Sequence, residues 1–155
     1  MISEHISYAE GFKSQTAIRY GIDNTPPPEI LEKMMVLASM IFEPVRDHFN
    51  KPIGIASFYR CQKLNTVIGG AENSQHMTGE AIDIDADIFS NGITNLQIFE
   101  FIRTRLDFDQ LIAEIQKDDG NFEWIHVSYR DKINNRNNTL IGYMENGKMK
   151  YKKYA

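Results

Sequence analysis

The stretch "SQHMTGEAIDIDAD", residues 74–87, holds one of the chain's four histidines and three aspartates on alternate positions. Successive residues of a strand point to opposite faces, so Ile82 and Ile84 share one face while Ala81, Asp83 and Asp85 share the other. The pattern predicts a half-buried strand over "EAIDIDA", aliphatic towards a core and acidic on its other side. Gly79 allows a turn between His76 in the preceding loop and Asp83 on the strand. Aspartates at intervals of two also open calcium loops. That reading fails, because with Asp83 at position 1 the sixth position is Ile88 instead of Gly and the twelfth is Thr94 instead of Glu. A catalytic zinc fits better: it takes about three imidazole or carboxylate ligands and leaves one position to water. His76 and Asp83 can supply two of them.

A third ligand has to come from elsewhere in the chain. "FEWIHVSY" (122–129) reads as another strand, with His126 on the face it shares with Trp124 and Ser128. Glu123 precedes His126 by three residues, so a regular strand would point the two to opposite sides. Both can serve one site only if Glu123 sits at a bend or at the start of the strand. Cys61 is the only cysteine. It excludes an intramolecular disulfide and a cysteine zinc knuckle, and leaves His, Asp and Glu as the metal-binding vocabulary.

The flanking sequence supplies the scaffold. "IDNTPPPEILEKMMVLASMIFEPVRDHFN" (22–50) reads as a helix capped by Asn24 or Thr25, with prolines in its first turn, Ile30, Met34, Leu37 and Ile41 at helical spacing, and a kink or end at Pro44. "PIGIASFY" (52–59) is a strand, and "CQKLNTVIGG" (61–70) a short helix stopped by Gly69 and Gly70. "TNLQIFEFIRTRL" (94–106) is an amphipathic helix and "FDQLIAEI" (108–115) a further strand. Asn146-Gly147 predicts a terminal hairpin between "TLIGYME" and "KMKYKKY", with "NNRNN" (134–138) as a polar loop before it. Antiparallel strands with a few separate helices give an α+β fold, a small antiparallel sheet with helices packed on it. With 155 residues the chain makes one domain over 1–155. A chain of that length buries about 70% of its unfolded surface.

Composition narrows the partners. A net charge of −4 with 42% hydrophobic and 25% charged residues suits an ordinary globular protein and argues against nucleic acid. No stretch is apolar enough for a membrane span, and "MISEHISYAEGFKSQ" lacks the apolar core of a secretory signal. The expectation is a monomer made in the cytoplasm without a Sec signal.

Three motifs in order carry a resemblance. S-x-Y-R (Ser57, Tyr59, Arg60), then S-x-H-x-x-G-x-A-x-D (Ser74, His76, Gly79, Ala81, Asp83), then E-W-x-H (Glu123, Trp124, His126) resemble the zinc D-Ala-D-Ala carboxypeptidase family. That family is grouped with the D-Ala-D-Ala dipeptidases, the L-Ala-D-Glu phage endolysins and the hedgehog-type fold. The likeness extends over most of the chain and implies a hedgehog/DD-peptidase-like architecture. It departs at Phe58, where Gly is common, which is expected to alter the floor of the site; relatives also carry Asp at the position of Glu123. The resemblance implies Zn2+ held by His76, Asp83 and His126, with Glu123 as general base. It also implies Arg60 facing the scissile carbonyl or the substrate carboxylate, and a peptidoglycan stem peptide as substrate. Ser74 is expected to fix the loop and help bind substrate.

The remaining polar residues read more plainly. Asp85 and Asp87 are solvated carboxylates or orient an imidazole, Glu114 is a strand-end carboxylate or backs a ligand, and Trp124 is a wall residue. His5 and His48 are incidental, and Lys148, Lys150, Lys152 and Lys153 line a solvated hairpin edge. The expected activity is peptidoglycan hydrolysis of carboxypeptidase or endopeptidase type, in a phage or prophage lysis enzyme acting on the cell wall. The alternatives are a catalytically silent zinc-containing module that binds wall or builds a virion, and a different hydrolase using the same metal.

Overall fold

Residues 1–154 are described in a computed structural model of the protein. The strand read from "EAIDIDA" is present as β2 (Ala81–Asp85). It lies between β1 (Gly54–Ser57) and β4 (Phe122–Ser128), antiparallel to both. β3 (Gln110–Gln116) pairs with the other edge of β4, and a hairpin of β5 (Asn138–Glu145) and β6 (Lys148–Lys153) completes a six-stranded sheet of order β1-β2-β4-β3-β5-β6. The fold class is α+β, but the sheet is not wholly antiparallel: β5 runs parallel to β3. The reason lies in the crossing segment. Asn137 and Asn138 donate their N–H groups to the carbonyls of Phe108 and Asp109, so the returning chain enters beside the start of β3 and must run the same way.

Six helices accompany the sheet: α1 (Tyr8–Phe12), α2 (Gln15–Tyr20), α3 (Pro28–Leu37), α4 (Glu43–Phe49), α5 (Gln62–Val67) and α6 (Asn95–Arg105). The first two are short pieces of the polar N-terminal stretch, each started by a serine whose hydroxyl accepts a first-turn N–H. The cap expected at Asn24 or Thr25 is not used: Pro27 occupies that position, and α3 begins on Pro28 without a side-chain cap. Pro44 does not end the helical run either. A π-helical turn (Ala38–Phe42) separates α3 from α4, and Pro44 falls in the first turn of α4. The wider turn absorbs the missing N–H and the bulk of the ring.

The aliphatic face of the sheet is closed by these helices. Ile82, Ile84, Ile125, Val127, Leu111 and Ala113 are fully buried together with Met34, Leu37, Ile41 and Val45 of the α3–α4 run and Ile98, Phe99 and Ile102 of α6. Each large aliphatic contributes about 1.5–3 kcal/mol of burial. That dry face fixes the register of β2 and β4, because a slip of one residue would exchange isoleucine for aspartate. Register in turn decides which side chains meet on the other face.

Candidate active site

On that other face Asp83 of β2 stands directly opposite His126 of β4, and His126 opposite Ile112 of β3. His76 arrives from the loop before β2. Its position is set by two bonds to the segment after β1: its carbonyl accepts the Arg60 N–H (3.2 Å), and its Nδ1 lies 2.7 Å from the Phe58 carbonyl. Asn24 ties the same segment down, donating to the carbonyls of Phe12 and Tyr59 and accepting the Cys61 N–H. Gly79 lets the loop turn back under α3. Its φ is +73°, and a Cβ there would sit 2.8 Å from the Ile30 carbonyl oxygen.

The three side chains converge. One Asp83 oxygen is 2.9 Å from His126 Nδ1 and the other 3.3 Å from His76 Nε2. One donor atom from each residue falls within 4.8 Å of the others. The donor chemistry calls for a cation. A carbonyl oxygen only accepts, so the Phe58 contact puts the proton of a neutral His76 on Nδ1 and turns the Nε2 lone pair towards the Asp83 carboxylate. Two acceptors facing each other in a buried setting need a proton or a metal between them. The 3.3 Å separation matches the edge of a tetrahedron with donor–metal distances of about 2.0 Å, the spacing of zinc. Burial pushes the Asp83 carboxyl up, but positive charge and hydrogen bonds from His76 and His126 outweigh it and hold the group well below the usual carboxylate range, as a cation at the same point would. It is an anion in place to hold a metal.

A cleft of about 360 Å³ opens over this cluster, lined by Arg60, Ser74, Gln75, Glu114, Trp124 and Tyr151 along with the three candidate ligands. Arg60 is half-buried and donates to the Ser74 hydroxyl at 3.2 Å, while among the described residues its Nε has no partner. Burial lowers its pKa, opposed by the charge of Asp83, and a guanidinium stays protonated regardless. Gln75 is held by Asp109, a fully buried carboxylate that also accepts from Ser128 and from both the Nε and a terminal nitrogen of Arg136. Burial raises the Asp109 carboxyl, the Arg136 guanidinium lowers it further, and it too ends well below the usual range.

Glu123 lies at the start of β4, where the alternation of faces breaks: Phe122 is buried in the core with Ile125 and Val127 although an odd number of positions separates it from each, and Ile115 on β3 has a φ of +55°. The strand entry is therefore bent, the condition under which Glu123 and His126 can serve one site. The half-exposed Glu123 carboxylate sits 3.9 Å from Lys117 Nζ, which also meets Asp87 at 3.4 Å, and it does not line the cleft. The carboxylate that does is Glu114, opposite Trp124 on β3 and only 6% exposed. Burial pushes its carboxyl above the usual range, partly offset by the charge of His126 and a hydrogen bond from Tyr151. Tyr151 itself is pushed up to about 12, by burial and then by Glu114. Phe58 does not form the floor of the site: its ring is buried in the core and only its carbonyl serves His76. Asp85 caps the turn after β2 and binds Asn95, away from both imidazoles. Another cluster, His5, Glu43 and Asp47, already spends its imidazole on Glu43 at 2.7 Å and fastens the N-terminal segment to α4.

The peptidase M15 family model matches residues 4–128 of this chain. The chain belongs to the peptidase M15 family. These are zinc-dependent metallopeptidases. A search of the curated proteins found no match. Among the described residues no helix is long and apolar enough to cross a membrane.

Proposed function

We propose that the protein hydrolyses a peptide bond in the stem peptides of peptidoglycan, as a D-Ala-D-Ala carboxypeptidase or an endopeptidase, with zinc held by His76, Asp83 and His126. The observation that carries this reading is the arrangement of one open cleft around three convergent donors, a buried carboxylate and a guanidinium. A zinc ion there would activate water and polarise the scissile carbonyl. Glu123, the acidic residue of E-W-x-H at the bent entry of β4, is the group we assign to take the proton from the attacking water and deliver it to the departing amine. Glu114, the buried carboxylate of the cleft wall, backs the site from β3. Arg60, steadied by Ser74, donates to the carbonyl oxygen as charge builds on it, or to a substrate carboxylate. The half-buried setting strengthens either bond over its value in water.

Digestion of muropeptides followed by mass spectrometry tests the proposal, since the mass of the released fragment identifies the bond. The expected result is cleavage that stops with a chelator and returns with zinc. A zinc-loaded protein that leaves every muropeptide intact would refute the peptidase reading and favour a silent wall-binding module.

A further inference from the structure

Two arginines of the loop after β4 lie outside the cleft and beyond the segment matched by the family model. Arg130 opens that polar loop and Arg136 stands near its end. The loop is folded on its own side chains: Asn135 accepts the Arg130 N–H at 2.9 Å, and Asp131 accepts the N–H groups of Ile133 and Asn134. Arg136 is fixed further. Its backbone N–H, its Nε and one terminal nitrogen all donate to the buried Asp109 carboxylate, at 3.1, 2.9 and 2.8 Å. A guanidinium is planar, so clamping one edge of it sets the direction of the other terminal nitrogen. Among the described residues that nitrogen has no partner, and the Arg130 guanidinium makes no hydrogen bond or ion pair.

Both arginines line a second hollow, of about 410 Å³. It shares Asn73, Ser74 and Gln75 with the cleft over the candidate metal ligands, so the two spaces adjoin along one short segment. Ser74 in that segment accepts from Arg60 of the cleft, and Gln75 donates to Asp109, the same carboxylate that holds Arg136. Glu80 is the only acid among the described residues lining the hollow, and it is paired with Lys33 of α3 at 3.7 Å. In a chain with a net charge of −4, positive charge is therefore concentrated beside the cleft.

Resting on the peptidase reading above, we infer that this hollow is a substrate subsite in which Arg130 and Arg136 receive a free carboxylate of the stem peptide, separate from the bond being cut. The subsite favours acidic stem peptides over those whose carboxyl groups are amidated, and Asp109 is a positioning residue that orients Arg136. Two groups of a stem peptide offer this chemistry: the α-carboxylate of a γ-linked glutamate and the side-chain carboxylate of a diaminopimelate.

The test uses three synthetic stem pentapeptides, one with both carboxylates free, one amidated at the glutamate and one amidated at the diaminopimelate. Zinc-loaded wild type should cleave the free acid with a kcat/KM about tenfold above that of one amide, through KM, and that amide identifies the carboxylate read. Arg130→Gln should lose about the same factor on the free acid and under about twofold on that amide, with kcat, zinc content and melting temperature kept. Arg136→Lys keeps a cation beside Asp109 but not the planar fork, and should lose severalfold on the free acid. Lys148→Gln removes the same charge from the terminal hairpin and should leave the preference intact. A wild type that treats all three peptides alike overturns the inference, and so does an Arg130→Gln variant that retains the preference. If the wild type cleaves none of them, the peptidase reading fails. Calorimetric binding of the same intact peptides to the zinc-loaded proteins then decides the subsite by the same comparison, with equal or absent binding overturning it.

Discussion

Asp83 and His126 face each other across the β2–β4 pair, with a carboxylate oxygen 2.9 Å from Nδ1, and the second oxygen of the same carboxylate reaches His76. One aspartate thus joins two imidazoles from different parts of the chain. Asp83→Ala should reduce zinc affinity by more than about a hundredfold, exceeding the 10- to 100-fold typical of residues that only support a ligand. Metal content after dialysis against buffered zinc measures this, and a variant that still carries one zinc per chain would remove Asp83 from the ligand set.

The two glutamates give a sharper contrast. Glu123→Gln should retain zinc and lose about 10²–10⁴ in kcat, the range of general acid–base catalysis. Glu114→Gln, at a buried carboxylate bonded to Tyr151, should retain zinc and cost kcat far less, about tenfold or under. The opposite outcome would move the proton-transfer role to Glu114.

Arg60→Ala should cost about a hundredfold to a thousandfold in kcat, the effect of deleting one donor to a developing oxyanion. Arg60→Lys should recover little of it, because an ammonium cannot bond Ser74 and substrate with the same planar fork. Steady-state kinetics on one purified muropeptide decides this; full activity in Arg60→Ala would reduce Arg60 to a packing role.

Zinc should also stabilise the fold. A ligand that binds only the folded state at about a hundred times its Kd adds about 2.7 kcal/mol, which for a domain of this size raises Tm by roughly 5–10 °C. Calorimetry with and without chelator measures the difference. Equal melting temperatures would argue against a metal at this site.

Asp109 predicts the behaviour in acid. Its folded pKa lies below the ordinary aspartate value of about 3.9, so its contribution is complete above that pH and is lost as the pH falls towards the folded pKa. Urea unfolding of wild type should therefore weaken steadily below about pH 4. Asp109→Asn should be less stable at pH 7 by about 1–3 kcal/mol, since Ser128, Gln75 and the half-exposed Arg136 lose a charged acceptor, and should show a flatter acid limb. A parallel pH dependence in the two proteins would mean that Asp109 does not set it.

The alternation of isoleucine and aspartate in residues 81–85 was enough to place β2, its buried face and one candidate ligand, because strand geometry couples those facts. Helix α6 and both strands of the terminal hairpin were also legible from periodicity and the Asn-Gly turn. The parallel pairing of β3 and β5 was not, because it depends on backbone bonds from Asn137 and Asn138 that no local pattern announces. Glu114 was readable as a carboxylate that ends a strand or backs a ligand, but its bond to Tyr151 was not, because 37 positions separate the two in the chain. Strict parity would have set Glu123 against His126; the burial of Phe122 shows the break that the sequence reading required at the entry of β4. Asp109 could have been suspected only from its proximity to β3; nothing in "FDQLI" signals that Arg136 and Gln75 would converge on it.

The placement of β5 against β3 carries a consequence for biosynthesis. Every candidate metal donor has been synthesised once Ser128 is made, yet a chain ending there lacks the outer neighbour of β3, which would expose a row of unpaired amides and carbonyls. A truncated translation product ending there would carry a full set of donors beside an adhesive border, inviting other chains to pair with it. Release of the last two strands thus caps a nascent protein against aggregation at the same moment that it delivers a phenol to the cleft.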